Sequence, residues 1–429
     1  MKRVILGIGL LLLAGVISFG AVKLRFSDWH LTEDVWNQSL REAMCVFETR
    51  YPDIQVTLEP VSYADKETKY TVESEAGAAP DVFHLHAYSL RSFIEKGYLL
   101  DITDYVMANK EDVLDSRYPQ TLELCQKDGR YYAIPGDFMS MVLYYNKRLF
   151  EEAGLDPNRP PRTWAEFLDY AKRLTRDRDG DGQIDTWGFG TVGAISPGFE
   201  LRFTPFLYSF GGDYLTPDLK HSALNSPEAL AAFKFFVELF TVHGVIPPGV
   251  TSQNPQDVRT LLANERVAMI LGSGWTPPIV NKINPDLGAF EVLEAAPVPV
   301  REGVDTPYTT TAWLSAWMIS STTKHPDEAW TLLHFITSKE MEEKWFRDNR
   351  VLSSRMDVSG EYNEILNDKF ARVIAAELAH AKFVPQVPEW PQIIEAVNIA
   401  VQEAFTGIKT PEQALMDAHN RVEEILGNK

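Results

Sequence analysis

From Val22 to Leu85 the hydrophobic pattern switches repeatedly between the period of a strand and the period of a helix. Val22-Lys23-Leu24-Arg25-Phe26 alternates as a strand does, and Ile54, Val56 and Leu58 alternate again. Between them Trp36, Leu40, Ala43 and Phe47 recur at helical spacing, which predicts a buried helical stripe begun by Thr32 as N-cap and stopped by Pro52. After Pro80-Asp81, the run Val82, Phe83 and Leu85 forms a third short strand. Strands separated by helices cannot pair as hairpins. They pair in parallel through right-handed crossovers, which places the chain in the α/β class. Such sheets bind ligands beyond the carboxyl ends of their strands. Here those ends are Asp28-Trp29-His30 and His84-Leu85-His86.

A chain of 429 residues is too long for one ordinary core and implies two domains. No repeat, low-complexity tract or flexible linker separates them, so they are interwoven. Met1–Gly20 reads as a secretory signal: Lys2 and Arg3, an apolar run, then Ser18-Phe19-Gly20 ahead of a cut near Ala21. An uncleaved membrane anchor is the alternative. No cysteine stands near the cut, which argues against a lipoprotein. The formal charge of −19 argues against nucleic acid or an anionic membrane as partner. It also disfavours long-range attraction of anionic ligands, unless a local basic pocket overrides it. Cys45 and Cys125 are the only cysteines; they either pair or remain two separate thiols.

Capping chemistry marks further helices. Thr163 and Glu166 have capping-box spacing. Ser226-Pro227-Glu228 and Thr410-Pro411-Glu412 each place an N-cap, a proline and an acid in order, and Leu415, Ala418, Val422 and Ile425 give the last helix an apolar face. Ala296-Pro297-Val298-Pro299 is extended and suits a crossing between domains.

Four motifs follow one another from Arg130 to Gly190: R-Y-Y-A-I-P-G-D-F, V-L-Y-Y-N-K-R-L-F-E-E-A-G-L-D, P-P-R-T-W-A-E-F and D-R-D-G-D-G-Q-I-D-T-W-G-F-G. With G-A-A-P-D-V-F (Gly77–Phe83), A-M-I-L-G-S-G-W (Ala268–Trp275), K-H-P-D-E-A-W (Lys324–Trp330) and P-E-W-P-Q-I (from Pro388), their order resembles that of the family 1 extracellular solute-binding proteins. These are the sugar-capturing subunits of bacterial ABC importers. The resemblance implies a two-lobed periplasmic-binding-protein fold (type II, maltose-binding-protein-like) with the ligand cleft between lobes. It implies lobe 1 from 21–136 and 293–340, and lobe 2 from 137–292 and 341–429. It further implies an extracytoplasmic monomer, no required cofactor, and docking to permease subunits in the membrane. The chain has no G-x-x-x-x-G-K-[ST] loop, so the ATPase is another subunit.

A sugar presents C–H faces that stack on aromatic rings and hydroxyls that need paired donors and acceptors. Unpaired polar groups in the site cost about 1–3 kcal/mol each, which makes hydroxyl geometry discriminating. Trp275 follows Gly272-Ser273-Gly274 and matches the stacking aromatic of the resembled family. Trp313 stands where that family often carries glycine, so it would fill the pocket and favour a smaller ligand. Trp317, four residues on, is read as core. Asp28, Trp29 and His84 are candidates by strand-end position, and Asp137 by its place after Ile134-Pro135-Gly136, where a strand should enter the second lobe. Tyr88, Asp213, Arg355 and Trp390 complete the candidate set.

Asp177, Asp179, Asp181, Gln183 and Asp185 echo a calcium loop, with Gly182 at its sixth position. Gly188 replaces the closing glutamate. Calcium is therefore an expectation with one strong ligand missing. His84 and His86 share a strand face but lack zinc spacing to any further cluster. No nucleophile elbow, zinc-protease helix or dinucleotide loop is present, and a secreted glycosidase is the enzymatic alternative to capture. A sensor presenting ligand to a membrane receptor is the third reading.

Overall fold

The computed structural model of the chain describes residues 21–427, so the signal or anchor read from the sequence lies outside the described residues. The longer strands, in chain order, are β1 (Val22–Asp28), β2 (Ile54–Pro60), β3 (Val82–His86), β4 (Ala133–Ser140), β5 (Val142–Asn146), β6 (Trp187–Gly190), β7 (Val267–Gly272), β8 (Leu293–Ala296) and β9 (Thr310–Ile319). β1 pairs in parallel with β2 and β3, as the alternation of strand and helix predicts. β9 returns from late in the chain and lies antiparallel to both β3 and β4. The first sheet thus has the order β2-β1-β3-β9, with β4 and the two-residue strand Ala381–Lys382 also on β9. The second sheet has the order β8-β5-β7-β6. Each sheet is the centre of one lobe.

The helix Asp34–Arg50 buries Trp36, Leu40, Ala43 and Phe47 against the first sheet, each large side chain worth roughly 1.5–3 kcal/mol. Its N-cap differs from expectation. Thr32 closes a short turn, donating from Oγ1 to the Trp29 carbonyl at 2.8 Å, and Glu33 takes the N-cap position without a side-chain cap. A short helical turn, Trp29–Thr32, stands between the strand and the helix. Thr163 and Ser226 cap as expected, and Thr410 forms a full box with Gln413. Glu166 turns back one residue further than a box requires and accepts from the Arg162 N–H at 2.8 Å.

Strand membership moves the crossings between lobes. β4 stays in the first sheet to Ser140, β8 pairs antiparallel with β5 in the second, and the helix Lys339–Asn349 packs on Asp34–Arg50 of the first lobe. Apart from the brief return of Ala381–Lys382 to the edge of β9, the chain therefore crosses at Met141, across 297–309, and across 350–368, not at 136/137, 292/293 and 340/341. Pro135-Gly136 looks like a break in sequence. In the fold it sits at a register shift, opposite Leu314–Ala316, and the strand continues past it. Cys45 is exposed, Cys125 is buried, and both are free thiols.

Candidate ligand cleft

A cavity of about 390 Å³ lies between the lobes. The first lobe contributes Trp29, His30, Glu33, Trp36, Tyr63, Asp137 and Trp313. The second contributes Ser196, Arg202, Asn254, Gln256, Arg259 and Trp275. Trp275 reaches it because Gly274 packs onto the third crossing. A Cβ at Gly274 would stand 2.0 Å from the Arg350 carbonyl oxygen, so only glycine permits this approach. Trp275 and Trp313 meet across the lobes, ring centroids 5.3 Å apart at 64°. Trp313 Nε1 donates to Asp137 Oδ2 at 2.6 Å, which fixes the ring and aims the carboxylate.

Behind the first-lobe wall is a layered stack. His84 lies between Trp29 (4.1 Å, 15°) and Trp317 (3.7 Å, 8°). Asp28 is fully buried and joins two histidines: His84 Nδ1 lies 3.2 Å from its Oδ2, and His30 Nδ1 3.2 Å from its Oδ1. His84 Nε2 is 2.7 Å from Ser315 Oγ, and His86 Nδ1 is 2.5 Å from the Tyr88 hydroxyl. Burial pushes the Asp28 carboxyl up, yet the charges and hydrogen bonds of His30 and His84 outweigh it and hold the group well below the usual carboxylate range. Burial pulls His84 down to about 4 and pushes Asp137 up to about 6.

The fold brings Trp275, Trp313, Asp137 and Trp29 of the sequence candidates to the cavity. It does not bring the others. Asp28 and His84 are behind Trp29, as supports. Tyr88 opens instead on a small neighbouring cavity. Asp213 is paired with Lys382. Arg355 is clamped by Asp112 at 2.8 Å and Asp357 at 3.0 Å, pinning the third crossing. Trp390 is fully buried, edge-on to Tyr214 at 4.9 Å.

Residues 30–343 match the family described as bacterial extracellular solute-binding protein. The chain belongs to that family. A maltotriose-binding protein of Pyrococcus abyssi is 24% identical over 402 residues, covering 91% of this chain and 79% of that one. A maltodextrin-binding protein of Bacillus subtilis is 23% identical, covering 92% and 89%. Among solved structures, an ABC transporter solute-binding protein of Thermotoga lettingae bound with α-D-tagatose superposes with a TM-score of 0.85 at 28% identity, covering 95% of this chain and all of that one.

This solute-binding protein lines its cleft with several residues that sequence patterning did not single out as ligands. Trp36 was absorbed into a helical stripe, because a ring can pack on a core and still present an edge to a cavity. Arg202 had a signal: it is the one basic residue in the wholly buried helix Glu200–Ser209. Tyr63 and Asn254 lie on connections whose direction no periodicity encodes, and Arg259 sits on the polar side of the helix Pro255–Ala263, where a solvated charge is the ordinary reading. In the acidic loop, oxygens of Asp177, Asp179 and Asp185 lie within 4.8 Å of one another. Asp177 accepts from the Gly180 and Gly182 N–H groups, and Asp181 turns away to the Gln183 N–H. Among the described residues, no helix is long and apolar enough to cross a membrane.

Proposed function

We propose that this protein captures a small carbohydrate between its lobes outside the cytoplasm and delivers it unaltered to the permease of an ABC importer. The observation that carries the reading is the meeting of Trp275 and Trp313, one from each lobe, over a carboxylate that Trp313 itself orients. Two aromatic plates and a fixed acceptor suit a ring with one apolar face and a hydroxylated rim. A cavity of about 390 Å³ is near the small end of ligand sites, which run about 300–1,000 Å³. It favours a monosaccharide or disaccharide over a long chain. The names of the relatives, from tagatose to maltodextrin, support carbohydrate as the class, and the preference for a short one rests on the cavity.

Because the walls belong to different lobes, a ligand touching both stabilises the closed arrangement by the difference of its affinities for the two states. The permease would then recognise the closed form. Incubation with a saccharide library, read by thermal shift and solution scattering, tests this. The expected outcome is a raised Tm and a smaller radius of gyration with at least one sugar, which is then recovered intact. Cleaved sugar would favour the glycosidase reading, and no response across the library would reject capture. Calcium at the acidic loop stays an expectation of the sequence; calorimetric titration after chelation, with no heat and no change in Tm, would remove it.

A further inference from the structure

The second-lobe wall holds two guanidinium groups with little of their hydrogen-bonding capacity used. Arg202 is 3% exposed; its Nη1 donates to the Gly198 carbonyl at 3.1 Å, and its Nε is buried without a partner. Arg259 donates from Nη2 to Gln256 Oε1 at 3.0 Å, and its Nε is also buried without a partner. A guanidinium carries about five N–H donors in a rigid fork. A buried charge normally keeps a partner, because desolvation is costly without one.

Among the described residues neither arginine lies within ion-pair distance of a carboxylate, and Arg259 feels only the longer-range attraction of Glu33 across the cleft. Glu200 is the acid nearest in sequence to Arg202. Its Oε2 accepts from the Gly198 N–H at 2.9 Å, and its Oε1 has no partner. Glu33 and Asp137 stand on the facing lobe, and Asp137 is held by Trp313. Burial lowers both guanidinium groups from their usual value, and at Arg202 the repulsion of Arg259 is the next cause, ahead of the attraction of Glu200. Two like charges thus share one wall.

The same wall carries Ser196, whose Oγ is buried without a partner. It is built from the N-terminal ends of the helices Glu200–Ser209 and Pro255–Ala263, with Pro197, Asn254 and Gln256 also facing the cavity. Helix N-termini favour negative charge. The arginine fork matches the planar oxygens of a carboxylate or phosphate, and such pairs are stronger than neutral hydrogen bonds. The opposite wall is aromatic and carries an acceptor, which suits the hydroxylated part of the same molecule.

We propose that Arg202, Arg259 and Ser196 form an oxyanion subsite, and that the captured solute is a small sugar or polyol bearing a carboxylate or phosphate group. This rests on the capture reading above and narrows it. The formal charge of −19 does not draw such a solute in from a distance, so selection occurs at the wall after encounter.

Calorimetry and thermal shift with matched probes test it. Neutral D-galactose and D-glucose are compared with D-galacturonate, D-glucuronate, D-glucose 6-phosphate and glycerol 3-phosphate, with acetate and inorganic phosphate as bare anions. The expected result is an acidic probe binding at least tenfold tighter than its neutral counterpart, weakening as salt rises. The carboxylate and phosphate arms identify which oxyanion the wall takes. In Arg259→Gln the preference should fall at least tenfold, and in Arg202→Lys partly, since charge remains but the fork is lost. Arg259 is the more exposed of the two, so its variant keeps the test alive if Arg202 variants fold poorly. Neutral sugars binding as tightly as acidic ones, or a preference that survives in both variants, would overturn the subsite and leave sugar capture standing. Silence from every acidic probe also overturns it. Silence from the neutral library as well would take the proposed function with it.

Discussion

The two walls of the cleft are built on opposite plans. The first-lobe wall is braced by stacking before any ligand arrives, even though His30 Nδ1 and His86 Nε2 make no well-aligned hydrogen bond. Trp29 is stacked on His84, His84 on Trp317, and Asp28 joins His84 to His30 behind them. Lys66 adds its ammonium 5.4 Å from the Trp29 ring and 3.9 Å from that of Tyr63. The second-lobe wall is left open. Trp275 is only partly buried, and Arg202 and Arg259 each keep an unpartnered Nε. The difference separates two tasks. One wall supplies shape and stacking at fixed geometry. The other supplies polar groups that are satisfied only when something enters.

The largest effect expected from this contrast is on stability, from the braced wall. Trp29→Ala removes a ring that is 2% exposed and opens a void beside His84 and Lys66. Buried aromatic-to-alanine changes cost about 3–5 kcal/mol, and the same is expected here, measured by urea denaturation. A loss under about 1 kcal/mol would mean that the stack collapses easily and the wall is not preformed.

The matching change on the other wall should separate binding from folding. Trp275→Ala is expected to cost under about 1 kcal/mol of stability, since the ring is partly exposed, but about 1–2 kcal/mol of sugar affinity, roughly tenfold. Calorimetry with whichever sugar the library identifies, alongside denaturation, reads both. If affinity is unchanged in a folded variant, Trp275 is no stacking plate. If stability falls as far as in Trp29→Ala, the two walls are not distinct.

The same contrast explains what was readable in the sequence. The first lobe announced itself because β1, β2 and β3 follow simple alternation and the helix Asp34–Arg50 repeats its apolar stripe. The strand-end rule led straight to Trp29, but it could not tell Trp29, which faces the cavity, from Asp28 and His84, which support it from behind. That distinction depends on which face of the sheet looks toward the other lobe. β9 was out of reach of local pattern, since it pairs with β3 and β4 from more than 170 residues away in sequence, as in the Trp313 to Asp137 bond (|i−j| = 176). The arginines were missed for another reason. A charge in a buried helix is informative only once the fold shows that no described carboxylate forms an ion pair with it. Arg355, by contrast, was named in sequence and is answered twice, by Asp112 and Asp357.

The smallest effect concerns Asp137, the carboxylate of the first-lobe wall that Trp313 holds at the cavity. Burial pushes Asp137 up to about 6, against the opposing influence of His30 and the Trp313 N–H. Its folded value is above its unfolded value of about 3.9, so the folded protein holds an extra proton between the two. The resulting stability is fully present below about pH 4 and is lost as pH rises through about 6. His84 does the reverse. Its folded value of about 4 lies below the ordinary one of about 6.5, so its contribution is present above that and is lost as pH falls toward 4. The two slopes oppose each other over the same interval. Asp137→Asn removes only the first, because the amide oxygen still accepts from Trp313 Nε1. The variant should therefore gain on the parent by about 1–2 kcal/mol between about pH 4 and pH 7, less than the full shift because the group retains contact with the cavity. Thermal melts of both proteins across that range measure the difference, and parallel curves would show that the acceptor is already solvated, so that even the braced wall keeps one group open to water.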